Sequence, residues 1–435
     1  MATAEQQQVY EPLELALEFP ESRAVCKPGN LAQDLAEFQE FGQKTSQRVT
    51  SFLTAEGARR KVPTFVNEFW TARQRQANAI HEISYRACFK PQLPRFFIER
   101  LTAPGDRVYD PFMGRGTTLI EAALLGRVPL GNDINPLSIL LTRPRLAPPT
   151  QAEVEARLGQ IPMDQPGEMP EDLLVFYHPD TLRQISSLRR YLLERQADGQ
   201  ADAVDDWIAL VALNRLTGHS KGFFSVYTMP PNQAVSVKAQ RKINERRKQQ
   251  PPPRDVAKII LKKSRFLLQD LSPALRSQLR NLSRQALLLT GSAAATKAIE
   301  SNLVALVVTS PPFLNVVQYA TDNWLRCWFM GIAPESVPLT VPSRLDAWQA
   351  AMTEVFCELR RVLQPGGHIA FEVGEVHKGQ TTLENAVLTC GTAAGLTPLL
   401  VMINDQKFTK TANCWGVDNM SKGTNTNRIV VFRKA

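Results

Sequence analysis

The sequence predicts an α/β fold in which a parallel sheet is flanked by helices, and two stretches of chain carry that prediction. The first is the strand-like run 106–109, which leads into a glycine-containing loop and a helix-forming segment at about 117–125. The second is the apolar run 303–308. Short, uniformly apolar runs are typical of parallel strands that are buried on both faces.

The loop after the first strand predicts a nucleotide-like pocket. Gly114 and Gly116 allow the backbone to approach a ligand closely, and Asp110 ends the strand. The spacing is neither GxGxxG nor GxxxxGK[ST], so neither a dinucleotide nor a triphosphate is favoured. A further strand-like run, 128–131, leads to Asp133, which lies 23 residues after Asp110. An acidic residue at that place suits the hydroxyl groups of a ribose, although a solvated Asp in an ordinary α/β turn is the alternative.

A second loop follows the apolar run and predicts chemistry on a nucleobase. Its residues are Ser310, Pro311, Pro312 and Phe313, which offer a hydroxyl, carbonyls held by two rigid prolines, and a flat ring. An exocyclic amine is a poor nucleophile because its lone pair is delocalised into the base. Two acceptors that hold its hydrogens would direct the lone pair toward a methyl donor, while the ring stacks on a base pulled out of its helix. A proline-stiffened turn without a chemical role is the alternative.

The motifs DPFMGRGTT, GNDINP and TSPPF together resemble those of the S-adenosylmethionine-dependent amino-methyltransferases of DNA, which make N4-methylcytosine or N6-methyladenine. The resemblance covers residues 80–142 and 285–435, and it includes the segment 88–94 and the PGG step before the strand 368–373. It implies a Rossmann-like class I methyltransferase sheet with a largely helical insertion domain, and S-adenosylmethionine as the cofactor.

The resemblance also implies the residues of the cofactor site. Ser292 stands where the family often has an Asp that meets the adenine of the cofactor, and Phe313 stands where Tyr is commoner. The residues expected to bind the cofactor are Phe89, Lys90, Pro91, Asp110, Pro111, Phe112, Gly114, Gly116, Thr117, Asp133 and Ser292.

The expected reaction is direct methyl transfer to the N4 amine of a flipped-out cytosine, carried by Ser310, Pro311, Pro312 and Phe313. Family members that modify adenine N6 usually have Asp or Asn where Ser310 stands, so the Ser favours cytosine. Three alternatives stay open: an N6-adenine DNA methyltransferase, an RNA base methyltransferase, and a non-catalytic nucleic-acid binder with the same fold.

The positive charge is concentrated in one segment. Residues 235–285 contain 14 Lys or Arg and three acidic residues, whereas the whole chain has a net charge of +9. A localised excess of this kind suits contact with phosphates better than a solvated helix face does. Such contacts would position the protein on DNA without specifying a base. The residues predicted to bind DNA are Lys238, Arg241, Lys242, Arg246, Arg247 and Lys248.

The 435 residues are enough for two domains. We predict an N-terminal lead-in at 1–60, with a helical patch near 31–53, and a cofactor-binding half at 61–145 that is helical over 64–105. A basic helical insertion at 146–284, the candidate target-recognition domain, has helices near 180–196, 203–216, 254–270 and 273–285. A catalytic half at 285–435 follows.

The composition excludes several classes of protein. Six cysteines without a CxxC pair and five histidines without ligand spacing argue against a metal site. No stretch is long and apolar enough to span a bilayer, so we expect no membrane partner and a cytoplasmic protein that is associated with the nucleoid when bound to DNA. The expected partner is double-stranded DNA. A cognate restriction endonuclease and the oligomeric state are left open.

Overall fold

The computed structural model of the chain describes residues 31–70, 77–85, 89–229, 234–312, 319–334, 337, 342, 344–373, 383–405 and 426–435. Within this part the strands are β1 (Ser46–Leu53), β2 (Arg59–Asn67), β3 (Arg107–Asp110), β4 (Val128–Asp133), β5 (Leu287–Thr290), β6 (Val304–Thr309), β7 (Leu363–Val373), β8 (Thr397–Asp405) and β9 (Thr426–Arg433). The helices are α1 (Leu31–Glu37), α2 (Gln92–Leu101), α3 (Thr117–Leu124), α4 (Leu137–Leu146), α5 (Gln151–Gln160), α6 (Pro179–Ala197), α7 (Ala203–Leu213), α8 (Val237–Arg247), α9 (Val256–Leu268), α10 (Pro273–Ser283), α11 (Tyr319–Met330), α12 (Leu345–Val362) and α13 (Leu383–Ala393). Short 3₁₀ turns lie at Ala79–His81 and Glu171–Val175.

The described strands form one sheet in the order β1-β2-β8-β9-β7-β6-β3-β4-β5. Strand β9 runs antiparallel to its neighbours β7 and β8, and β1 runs antiparallel to β2; the other pairings are parallel. Strand β3 lies between β4 and β6, so the order of the strands reverses there. Open α/β sheets bind ligands beyond the carboxyl ends of the strands at such a reversal. The predicted Rossmann-like class I methyltransferase sheet is confirmed.

The two runs that predict strands form β3 and β6, side by side at the centre of the sheet. All residues of β6 are buried, as are those of β3 after Arg107. Their side chains alternate between two cores: Val108 and Leu306 pack on the side of α2, whereas Tyr109 and Val307 pack on the side of α12. Burial on both faces explains why these runs are continuously apolar rather than alternating.

The segment between β4 and β5 is helical, as predicted, and contains α4 to α10. The four helices predicted in it correspond to α6, α7, α9 and α10. Their apolar side chains join those of α3 and α4 in one core, which includes Ile120, Leu141 and Trp207. The insertion is therefore packed directly against the helical layer that supports the loop after β3.

The prediction for the first hundred residues is partly wrong. The helical patch near 31–53 is helical only in α1, and residues 46–53, within the predicted lead-in, form the edge strand β1. Helix was also predicted over 64–105, yet β2 extends to Asn67 and pairs in parallel with β8. Most side chains of β1 are exposed, so its sequence lacks the alternation that marks a half-buried strand. The conformation of β2 depends on its pairing with β8, a distant part of the chain.

Candidate active site

The loops after β3 and β6 are joined by a buried carboxylate. The Thr309 hydroxyl donates to Asp110 Oδ1 at 2.6 Å, and the amide of Phe112 donates to the same oxygen at 3.1 Å. Burial and, to a smaller extent, the charge of Asp133 raise the pKa of Asp110 to about 7, although the hydrogen bonds oppose this change. Asp110 therefore couples the glycine loop to the Ser-Pro-Pro loop in a place that water does not reach.

Asp133, at the end of β4, organises the glycine loop from the neighbouring strand. Its Oδ2 accepts from the amide of Gly114 at 2.8 Å, and its Oδ1 accepts from the amide of Asn135 at 2.9 Å. Burial raises the pKa of this carboxyl, and the two amide donors oppose that change. A carboxylate has about four acceptor positions, so Asp133 keeps capacity for the hydroxyl groups of a ligand.

The two glycines of the loop have different physical requirements. Both have positive φ angles, +50° at Gly114 and +75° at Gly116, which disfavour other residues. A Cβ at Gly116 would lie 2.3 Å from Thr142 Oγ1, so the absence of a side chain lets α4 pack against the start of α3. A Cβ at Gly114 would have its nearest neighbours at 3.9 Å. Gly114 is thus required for its positive φ angle and not for close packing against the protein.

The other residues predicted in this loop support its shape. The carbonyl of Pro111 accepts from Asn132 Nδ2 at 3.3 Å, and Phe112 packs against the core on the α12 side of the sheet. Thr117 is buried at the start of α3, where its hydroxyl accepts from Arg115 Nε at 3.2 Å.

The segment that precedes α2 lies against the same loop. Pro91 caps α2, and Lys90 is partly buried, which lowers the pKa of its ammonium group. The side chain of Phe89 packs against the core on the α2 side, while its carbonyl lies 3.5 Å from a terminal nitrogen of Arg115. Arg115 also donates to the carbonyl of Ile83 at 2.9 Å. The buried guanidinium therefore joins both flanking segments to the glycine loop.

Ser292 follows β5, beside the end of β4. The amide of Gly291 donates to the carbonyl of Asp133 at 3.0 Å, and Asn132 Nδ2 donates to the carbonyl of Gly291 at 2.9 Å. The side chain of Ser292 is exposed and accepts from the amide of Ala294 at 3.2 Å. The structure thus places Ser292 next to Asp133 at the same edge of the sheet, with an accessible hydroxyl.

The Ser-Pro-Pro loop is held at both ends by residues from other elements. The Ser310 side chain hydrogen-bonds Glu372, a buried carboxyl on β7. Burial raises the pKa of Glu372, and its bonds with Ser310 and Asn427 oppose that change. At the other end, the indole of Trp348, on α12, donates to the carbonyl of Pro312 at 3.2 Å. Pro311 is buried between these two anchors, and Phe313 lies outside the described residues.

The six cations predicted to bind DNA lie together on α8 and at its end, and all are exposed. The helix rests on the 3₁₀ turn Glu171–Val175, because Asn244 Nδ2 donates to the carbonyl of Val175 at 2.8 Å. Two of the six cations have protein partners. Arg241 pairs with Asp172 at 3.0 Å, and Arg247 lies 3.8 Å from the ring centroid of Tyr227. The structure groups these residues on the insertion, away from the loops that follow β3 and β6.

Three residues of the site were not predicted from the sequence. Thr309 and Glu372 lie at the carboxyl ends of β6 and β7, the two strands that were identified. A polar residue at the end of a buried apolar strand is a signal that could have singled them out. Trp348 lies within a long amphipathic helix and is almost fully buried. Nothing in its local sequence marks it as a partner of Pro312.

Metal-ligand clusters and membrane-spanning helices are both absent from the described residues. No group of three or more His, Cys, Asp or Glu side chains among them is arranged to hold a metal ion. None of the helices in the ranges given above has both the length and the apolar character required to cross a bilayer.

Comparison with known proteins gives the following matches. Residues 26–141 match the family model N6_N4_Mtase, which is described as DNA methylase. The type II methyltransferase M.BsoBI of Geobacillus stearothermophilus is 22% identical over 311 residues, which cover 63% of this chain and 57% of that protein. The type II methyltransferase M.MjaII of Methanocaldococcus jannaschii is 38% identical over 74 residues, which cover 17% of this chain and 14% of that protein.

The matched part of this chain thus spans less than two thirds of either relative. Among solved structures, the TehB-like SAM-dependent methyltransferase of Corynebacterium glutamicum aligns with 79% of this chain and 87% of that chain, at 9% identity and a TM-score of 0.29. The resemblance to the DNA amino-methyltransferases rests on the family match and on the two relatives.

Proposed function

Because residues 26–141 match the model of a DNA methylase family, we propose that this protein is an S-adenosylmethionine-dependent DNA methyltransferase that modifies the N4 amine of cytosine. The observation that carries the proposal is the hydrogen bond between Asp110 and Thr309. It brings the glycine loop, the feature expected to bind the cofactor, against the Ser-Pro-Pro loop, the feature expected to meet the base. Both loops lie at the strand-order reversal, where α/β sheets bind ligands.

The residues of the glycine loop fit S-adenosylmethionine. Asp133 has acceptor capacity for the two ribose hydroxyl groups, and Gly114 presents backbone without a side chain next to it. Ser292, whose hydroxyl is accessible, is the residue that would meet the adenine if the family resemblance holds at this position. When bound, the cofactor supplies an electrophilic methyl group on a positively charged sulphur.

The Ser-Pro-Pro loop can hold the amine of the target base. The Ser310 hydroxyl has one hydrogen, and Glu372 is the acceptor beside it. Donating that hydrogen to Glu372 leaves the lone pairs of Ser310 to accept one hydrogen of the amine. The carbonyl of Pro311 accepts the other hydrogen in the proposed geometry. The bond from Trp348 to Pro312 limits rotation of this part of the loop. Positioning of the amine then provides most of the acceleration.

The insertion at 146–284 is proposed to recognise the target DNA, with the exposed cations of α8 on the phosphate backbone. Its direct packing on α3 and α4 would keep a bound duplex in a defined position relative to the site.

The product of the reaction is the direct test of this function. The purified protein is incubated with duplex DNA and S-adenosylmethionine, and the DNA is digested to nucleosides and examined by mass spectrometry. We expect N4-methylcytosine. N6-methyladenine as the only product would contradict the cytosine assignment and leave the fold and cofactor intact, whereas methylation of RNA alone would contradict DNA as the substrate. If the protein binds DNA but modifies no base, it is a non-catalytic nucleic-acid binder with the same fold.

A second prediction concerns the basic helix. Reversing the charges of Arg241, Arg246, Arg247 and Lys248 with Glu should weaken DNA binding and lower its salt dependence, since each lost phosphate contact removes about 0.9 from the slope. Fluorescence anisotropy with a labelled duplex over a range of salt concentrations measures both quantities. Affinity for S-adenosylmethionine should hardly change.

A matched control for that experiment reverses the exposed cations Arg59, Arg60 and Lys61 on β2, next to the edge strand β1. We expect a smaller effect on DNA binding from this control. An unchanged salt slope in the α8 variant would mean that the basic segment is only a solvated helix face.

A further inference from the structure

Two cations of the insertion lie together without an anionic partner. Arg215 follows α7; its Nε donates to the carbonyl of Asn214 at 2.7 Å, and its guanidinium lies 4.0 Å from the ring centroid of Phe223. Lys263 is on α9; its Nζ donates to the carbonyl of Glu82 at 2.6 Å and lies 4.6 Å from the ring centroid of Phe266. Among the described residues, neither cation forms an ion pair with a carboxylate.

The surroundings of this pair disfavour positive charge. Burial lowers the pKa of Arg215 to about 10. Burial and, to a smaller extent, the charge of Arg215 lower the pKa of Lys263 to about 7, against a smaller opposing effect from Glu82. Partly buried charges are normally paired. Two neighbouring, partly buried cations that have no carboxylate at ion-pair distance among the described residues are suited to an anion supplied by a ligand.

The contacts of the two cations identify the accessible donors. Arg215 uses Nε in its contact with the protein, so its terminal N–H groups can form the forked arrangement that matches a phosphate. Lys263 uses one of three ammonium hydrogens on a carbonyl. The rings of Phe223 and Phe266 restrict both side chains, which reduces the entropy lost when an anion binds.

The pair lies beside the segment 82–85, which connects it to the active site. Lys263 contacts the carbonyl of Glu82, and the amide of Ser84 donates to the side chain of Asn214 at 2.6 Å, next to Arg215. On its other side, the segment contacts the glycine loop and the end of β4, because Arg115 donates to the carbonyl of Ile83 and Asn135 donates to Tyr85. The segment 82–85 therefore connects the two cations with the glycine loop of the proposed site of methyl transfer.

A small cleft lies beside Ser84 and Asn214, next to Arg215 in the chain. It is lined by Ser84, Asn214 and Thr217 on one side and by Asp322 and Arg326 of α11 on the other. Helix α11 follows the Ser-Pro-Pro loop in the chain.

We propose that Arg215 and Lys263 bind one phosphodiester of the DNA strand that carries the target base. This inference rests on the proposed function, since it takes DNA as the substrate. The basic helix α8 provides general attraction, whereas this pair holds a single phosphate next to the site. Arg215 lies outside the basic segment 235–285, and its role follows from its position beside Lys263.

The test uses the full chain with Arg215→Gln and Lys263→Gln combined. We expect DNA binding to weaken roughly 10-fold at moderate salt, and the slope of log affinity against log salt to fall by about 1. The melting temperature without DNA should be unchanged or higher, because two uncompensated, partly buried charges are removed. Lys258→Gln is the matched control, since it removes an exposed charge from the same helix α9.

The outcomes separate this inference from the proposed function. If the wild type neither binds nor methylates DNA, the proposed function is wrong. If the wild type does both and the double variant binds DNA with the same affinity and salt slope, only the phosphate site is wrong. A double variant that melts well below the wild type would assign the two cations a structural role and overturn the inference.

Discussion

Replacing Ser310 with alanine is expected to raise the activation free energy of methyl transfer by about 3 kcal/mol at most, while binding of S-adenosylmethionine is retained. The substitution removes one of the two acceptors for the hydrogens of the target amine. The carbonyl of Pro311 remains, and the bond from Trp348 to Pro312 does not involve the hydroxyl. Single-turnover rates with saturating cofactor measure the chemical step, and calorimetry measures cofactor binding separately.

Glu372→Gln is the matched variant for this experiment, because it keeps an acceptor oxygen for the Ser310 hydroxyl but not the negative charge. We expect a smaller loss of rate than with Ser310→Ala. A wild-type rate in the Ser310→Ala protein would exclude the hydroxyl as an acceptor for the amine. Loss of cofactor binding together with rate would show instead that the hydroxyl is needed to shape the loop.

Replacing Asp133 with alanine is expected to weaken S-adenosylmethionine binding by about 1–3 kcal/mol. Two causes add. The ribose hydroxyl groups lose a charged acceptor, and the amides of Gly114 and Asn135 lose their partner inside the protein. Isothermal titration calorimetry of the purified protein measures the change in Kd.

Asp133→Asn separates the two causes of that loss. Its amide oxygen can still accept from one backbone amide, so part of the loop geometry should persist while the charge is lost. We therefore expect an affinity between those of the wild type and Asp133→Ala. Unchanged affinity in Asp133→Ala would remove Asp133 from the cofactor site.

The elements that form the centre of the molecule could be predicted because their signals are local. The helix predicted at 117–125 is α3, and the strands predicted before Asp110 and Asp133 are β3 and β4. The glycine that allows α3 to begin beside Thr142 is visible in the sequence as part of the loop motif. These features depend on apolar runs, glycine and helix-forming residues within a few positions of each other, so the neighbouring sequence determines them.

The hairpin of β1 and β2 could not be predicted from the local sequence. The side chains of β1 are mostly exposed, so no alternating pattern marks the strand, and a helical pattern was inferred instead. Strand β2 pairs with β8, which begins at Thr397, more than three hundred residues later. Backbone hydrogen bonds supplied by a distant strand, rather than the propensity of the segment, stabilise this conformation.

By itself, the sequence determined the parallel strands at the centre of the sheet, the helical insertion, and the presence of Asp110, Asp133 and the Ser-Pro-Pro loop at strand ends. Only the tertiary structure decided which side chains meet: Thr309 with Asp110, and Glu372 with Ser310. These pairs exist because β6 lies between β3 and β7. A residue's local pattern reports whether it is buried, but its partner depends on the order of strands that are far apart in the chain, and that order is set by packing of the whole sheet.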